Sequence, residues 1–175
     1  MRILIAEPDD FSPKVVARLR ETAEVVLEAV DRPGMARAFQ AYDVVWFRLG
    51  HRIDAELLGE SPRCKVLATP VTGTDHIDLA ALEARGIQLA CLRGETEFLK
   101  RVRATAELTI GLALSLIRHI PRAATSVESG TWNRDLFRGG ELFEKKAAVI
   151  GVGRLGTIVG GYLQAMGMEV TGYDP

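Results

Sequence analysis

The stretch from Ala147 to Pro175, AAVIGVGRLGTIVGGYLQAMGMEVTGYDP, leaves the chain the fewest options. Ala147 to Ile150 is a short apolar run of the length expected for a strand buried on both faces. Gly151-Val152-Gly153-Arg154-Leu155-Gly156 follows at once. A helical pattern then puts Leu155, Val159 and Leu163 on one face and stops near Gly167, where glycine can take a left-handed turn. A second strand, Met168 to Tyr173, leads to Asp174.

Each part answers a need of a dinucleotide. Gly151 permits the tight turn, Gly153 lets the backbone approach a pyrophosphate, and Gly156 lets the helix pack closely on the strand. The helix N-terminus offers free N–H groups and a partial positive charge to the phosphates. Asp174 lies eighteen residues past Gly156, close to the usual spacing of about 20 for the carboxylate on the adenosine ribose. An Asp there repels a 2′-phosphate, so NAD is expected over NADP. A ligand-free βα turn would also explain the glycines. The strand–loop–helix–strand context with its acid favours the nucleotide.

At 175 residues the chain has room for one large domain or two small ones. Its net charge of −1 and its lack of any long basic run give no reason to expect nucleic acid or a membrane surface. Cys64 and Cys91 are isolated in apolar, strand-like contexts, so buried reduced thiols are expected, with no disulfide or metal site. The opening MRILIAEPDD reads as a strand and lacks the basic start and cleavage site of a signal peptide. The longest apolar stretch, Ala104 to Ile117, is interrupted by Glu107 and falls short of the ~20 residues that span a bilayer. A cytoplasmic location is therefore expected.

Residues 1 to about 98 alternate strands with short helices. Strands are expected at Arg2–Ala6, Glu24–Glu28, Asp43–Phe47, Lys65–Ala68 and Ile87–Cys91. Helices are expected from Ser12-Pro13 with a capping hydroxyl, from Pro33 to Gln40, at Ile53–Leu58, and from an Asp78 cap to Gly86. Such alternation predicts a parallel sheet covered on both faces. Thr72-Gly73-Thr74-Asp75-His76 lies at the carboxyl end of the fourth strand, the rim where open α/β sheets bind ligands. From that stretch alone a ligand rim and an empty turn fit equally well. One long helix is expected from about Phe98 to Arg118, apolar almost all round in its second half and so buried between domains or subunits. Pro121 starts another helix that ends near Gly130, and Trp132 is expected to anchor the loop that follows.

Taken in order, Thr72-Gly-Thr-Asp-His-Ile-Asp78, Thr105-Ala-Glu-Leu-Thr109, Arg118-His-Ile-Pro-Arg-Ala123, the Gly130–Trp132 pair and Gly151–Gly156 resemble the NAD-dependent D-isomer-specific 2-hydroxyacid dehydrogenases. The resemblance is strongest to the D-3-phosphoglycerate dehydrogenase and glyoxylate reductase branch. It implies an α/β fold with a flavodoxin-like, parallel-sheet substrate domain over residues 1–98. Residues 99–175 would then supply a dimerisation helix, within 98–118, and the first βαβ unit of an incomplete Rossmann NAD domain. It also implies a small 2-hydroxy or 2-oxo acid as substrate and a homodimer as the assembly. Arg154 and Leu155 would touch the cofactor pyrophosphate, Asp174 the adenosine ribose, and Thr105 would lie near the nicotinamide. Thr72 and Gly73 would line the substrate cleft. Arg48 matches a position where the phosphoglycerate branch often carries arginine, and a surface arginine without a ligand fits equally well.

Departures from the family pattern qualify that picture. Thr69-Pro70-Val71 replaces the arginine, small residue and glycine common before Thr72, which puts 3-phosphoglycerate itself in doubt. Glu95 to Val102 differs from the usual asparagine- and glycine-containing approach to the long helix. The family's carboxylate-binding arginine and its histidine–carboxylate pair lie beyond the second Rossmann strand, past Pro175. No catalytic residue is therefore assigned, and hydride transfer is not expected from these residues alone. Of the three histidines, His51, His76 and His119, only His76 is near the expected cleft, at a turn position without a catalytic role in the family. The competing expectation is a non-enzymatic, NAD-responsive dimeric scaffold of the corepressor type, since fold alone does not establish catalysis.

Overall fold

The computed structural model describes all of residues 1–175, which form two compact units, Met1–Thr96 and Glu97–Pro175. In the first unit, strands and helices alternate as β1 (Arg2–Ile5), α1 (Pro13–Arg20), β2 (Glu24–Leu27), α2 (Arg32–Ala41), β3 (Val44–Trp46), α3 (Ala55–Leu58), β4 (Val66–Ala68), α4 (Leu79–Ala84) and β5 (Gln88–Ala90). All pairings are parallel, in the order β2-β1-β3-β4-β5. This is the flavodoxin-like order, in which the chain leaves β1 towards one edge and returns at β3 towards the other.

Alternation along β1 divides the core. Ile3 and Ile5 pack with Val16 of α1 and Val25 of β2 on one face. Leu4 points to the other, with Met35 and Phe39 of α2, Val45, Leu58 and Leu67. Three helices on that face begin with an aspartate cap. Asp31, Asp54 and Asp78 accept the N–H of Gly34 (2.8 Å), Leu57 (2.9 Å) and Ala81 (2.9 Å). Each such cap is worth about 1 kcal/mol. The Leu57 amide and then Arg32 hold the Asp54 carboxyl below its ordinary value.

Two local expectations need correcting here. Ser12 makes no side-chain cap at α1. Its carbonyl takes the N–H of Val15 and Val16, and Pro13 already fixes the first turn. Ile53 is not helical: its amide donates to His76 O and its carbonyl accepts from Asp78, a short parallel bridge that delays α3 to Ala55.

Cys64 is fully buried and donates to Val66 O at 3.3 Å, whereas Cys91 is only half-buried. Burial pushes the Cys64 thiol from 9.0 to about 11. A folded pKa above the unfolded one gives stability that is complete below the unfolded value and lost as pH rises. Denaturant melts of the wild type and of Cys64→Ala should therefore converge as pH goes from 9 towards 11. A stability difference independent of pH would contradict this.

The second unit contains α5 (Thr96–Leu99, which starts at the unit boundary), α6 (Ala104–Ile117), α7 (Ile120–Glu128), a 3-10 turn at Arg134–Phe137, β6 (Lys146–Ile150), α8 (Arg154–Ala165) and β7 (Glu169–Tyr173). β6 and β7 form a parallel pair in register from Lys146↔Glu169 to Ile150↔Tyr173. α8 packs on both strands and on α6. Gly167, at φ +79°, ends the α8 segment as expected.

Three features differ from the sequence reading. The 98–118 helix is broken: α5 stops at Leu99 and α6 starts at Ala104. The carbonyls of Leu99 and Val102, which a continuous helix would use internally, accept from Arg154 Nη1 at 3.0 and 2.8 Å. α6, expected to be buried between domains or subunits, buries Ala106 and Ile110 within the chain and presents Leu108, Leu112 and Leu116 on its surface, exposed at 61, 61 and 78%. β6 is not buried on both faces: Lys146, Ala148 and Ile150 are exposed, Ile150 to 82%, and Ala147 and Val149 are half-buried. Trp132 does not anchor its loop either. It is 87% exposed and lines an open hollow of about 720 Å³ with Arg118, Val127 and Phe137. No helix is long and apolar enough to cross a membrane.

Candidate functional site

In the second unit, the loop between β6 and α8 is built by backbone. Gly151 N–H donates to Tyr173 O at 2.7 Å, closing the carboxyl end of the β6–β7 pair and setting Asp174 beside the loop. Gly151 sits at φ +89°, where an L side chain is strained. A Cβ on Gly156 would stand 2.0 Å from Gly151 O and 3.2 Å from Val149 Cγ1, so only glycine allows α8 this close to the loop. Around Gly153, by contrast, a Cβ would meet nothing within 4 Å.

The amides of Arg154, Leu155 and Gly156 find no acceptor in the protein, as expected for the first turn of a helix. Three free donors beside an open glycine face suit a pyrophosphate, and an exposed carboxylate at the end of β7 suits a ribose diol. The residues present therefore fit a dinucleotide. Thr157, which motif reading missed, ties the loop down: its hydroxyl donates to Gly153 O (2.9 Å) and Val152 O (3.1 Å). A threonine four residues into a helix after such a loop is the signal that could have found it.

Arg154 meets the loop differently from the sequence expectation of a phosphate contact. Its guanidinium is engaged by Leu99 O and Val102 O, so what it offers at the loop is its backbone amide. Leu155 is half-buried. Thr105 lies exposed in the first turn of α6, where its carbonyl accepts from Thr109 Oγ1 at 2.8 Å.

In the first unit, Arg48, Thr72 and Gly73 are exposed at the carboxyl ends of β3 and β4. The three strand ends are stitched together: Thr69 N–H donates to Ala90 O (2.9 Å), Leu92 N–H to Val71 O (3.1 Å), and Thr69 Oγ1 to Arg48 O (3.3 Å). Arg93, after β5, donates to Thr74 Oγ1 at 3.3 Å. His76 has a buried Nε2 without a partner, its ring 5.5 Å from that of Phe47.

Comparison with known proteins gives this geometry its family. The catalytic-domain signature of the D-isomer specific 2-hydroxyacid dehydrogenases matches residues 3–126, and the NAD-binding-domain signature matches 110–175. The chain belongs to this family. Its cofactor is NAD. D-3-phosphoglycerate dehydrogenase from Mycobacterium tuberculosis is 34% identical over 174 residues, covering 99% of this chain and 32% of the relative. Hydroxypyruvate reductase from Thermotoga maritima is 28% identical, over 99% of this chain and 55% of the relative. The chain thus spans about a third of the first and just over half of the second. A crystal structure of a protein from Thermus thermophilus superposes with a TM-score of 0.87 at 28% identity, covering 99% of this chain and 56% of that one.

Proposed function

We propose that this 2-hydroxyacid dehydrogenase family member works in hydride transfer between NAD and a small D-2-hydroxy acid or its 2-oxo counterpart. The observation that carries the proposal is the β6–α8 loop, where the amides of Arg154 to Gly156 are free and Gly153 leaves the space a pyrophosphate needs. Bound nicotinamide would supply the hydride acceptor. The chain's own part is to hold the cofactor through the amides of Arg154, Leu155 and Gly156 and the Asp174 carboxylate, with Thr105 towards the nicotinamide. Residues 1–98 take the acid at the rim of Arg48, Thr72 and Gly73, and 99–175 take the cofactor. The exposed leucines of α6 fit a homodimer contact. Two unpaired thiols suit a reducing, cytoplasmic setting.

Calorimetric titration of the chain with NAD and NADP tests this reading. NAD should bind and NADP should bind at least about tenfold more weakly, because Asp174 repels the extra phosphate. Asp174→Asn should narrow the gap mainly by improving NADP. Equal affinities in the wild type, or no binding of either, would overturn the assignment.

A further inference from the structure

At the carboxyl edge of the first sheet, Glu7 follows β1 and Arg48 to Gly50 follow β3. These two strands are neighbours, and the chain departs from them in opposite directions. In open α/β sheets ligands bind in the crevice that such a reversal creates. Glu7 reaches across it. Its Oε1 accepts the N–H of Arg48 and of Gly50, both at 3.1 Å, and its Oε2 accepts that of Leu49 at 3.4 Å. Three successive amides converging on one carboxylate form an anion-holding nest. Gly50 belongs to the fit: a Cβ there would stand 3.2 Å from Oε1 and 3.3 Å from Cδ of Glu7.

The same turn is gripped from its other side, where buried Thr69 donates its hydroxyl to Arg48 O. Between these two holds the Arg48 backbone is fixed, while its exposed guanidinium finds no hydrogen bond or ion pair in the chain. A clamped backbone carrying a free cation at a switch-point crevice is a pre-organised anion receptor, since the ordering cost falls on folding and not on binding.

We propose that Glu7 is a positioning residue for the substrate rim: it locks the 48–50 turn so that Arg48 presents its guanidinium to an anionic group of the incoming acid. The assignment rests on the substrate reading given above. Glu7 acts through Arg48 and touches no substrate atom itself.

The test is a titration of the ¹⁵N-labelled chain with D-glycerate, followed by NMR, in the wild type, Glu7→Ala, Glu7→Gln, Arg48→Met and the Glu7→Ala/Arg48→Met pair. Glu7→Ala should weaken D-glycerate about tenfold. Glu7→Gln, which keeps Oε1 and two of the three bonds, should weaken it about threefold and keeps the test readable if the alanine variant folds poorly. In the Arg48→Met background, Glu7→Ala should change affinity less than about twofold, because the effect is routed through the missing cation. Equal losses with and without Arg48 would reduce Glu7 to a structural role. Binding unchanged in Glu7→Ala, with the amides of 48–50 visibly shifted, would overturn the positioning role alone. A wild-type chain that ignores D-glycerate would overturn the substrate reading and this assignment with it.

Discussion

Gly156→Ala should cost the chain its cofactor, weakening NAD about a hundredfold in calorimetry. The added methyl would lie 2.0 Å from Gly151 O and 3.0 Å from Gly151 C. Its neighbour is backbone, which no rotamer change can clear. Either α8 lifts from β6 or the Gly151–Gly153 turn opens, and both move the amides that face the phosphates. Overpacking of this kind costs about 1–3 kcal/mol in stability, and about 3 kcal/mol lost from binding corresponds to roughly a hundredfold.

Two other glycines separate this effect from general damage. Gly161, inside α8, has open space around its Cβ position. Gly161→Ala should stabilise the helix by about 1 kcal/mol and leave NAD affinity unchanged. Gly153 also has open space in the chain. If that space is where the pyrophosphate lies, Gly153→Ala folds normally yet binds NAD poorly. A Gly156→Ala chain that binds NAD like the wild type would show that the loop is not a phosphate site.

The parts of this molecule that were readable from sequence are those set by neighbours along the chain. Asp78 lies three residues before the amide it caps, and Gly167 ends the helix it closes. The G-x-G-x-x-G turn lies between two strands that pair directly, and the strand–helix rhythm of residues 1–90 fixes a parallel sheet. What was not readable depends on long reach. The break between α5 and α6 is bridged by an arginine 52 and 55 residues away, whose guanidinium donates to the Val102 and Leu99 carbonyls. Glu7 meets its three amides 41 to 43 residues downstream, with no motif to mark it. Apolar runs likewise suggested that α6 and β6 are buried without saying which residues cover them. Hydrophobicity reports a preference for burial, and the exposed Leu108, Leu112, Leu116 and Ile150 show that preference unmet within this chain.

That unmet preference leads to the second large effect. Leu108, Leu112 and Leu116 recur every four residues and so form one stripe along α6, all of it exposed. A second copy of the same helix is the occupant that the proposed homodimer puts there, and in a two-fold contact each leucine counts twice. Burying a leucine is worth about 1.5–3 kcal/mol, so losing Leu112 from both copies removes about 3–6 kcal/mol from association. Leu112→Glu also places two like charges in the contact. Light scattering should find the wild type at twice the chain mass at micromolar concentration and Leu112→Glu at the chain mass. NAD affinity should be retained, because Leu112 lies in α6 and the phosphate loop opens α8. A wild type that is monomeric at high concentration would show that the stripe meets something other than its own copy. A Leu112→Glu dimer would place the contact on a different face.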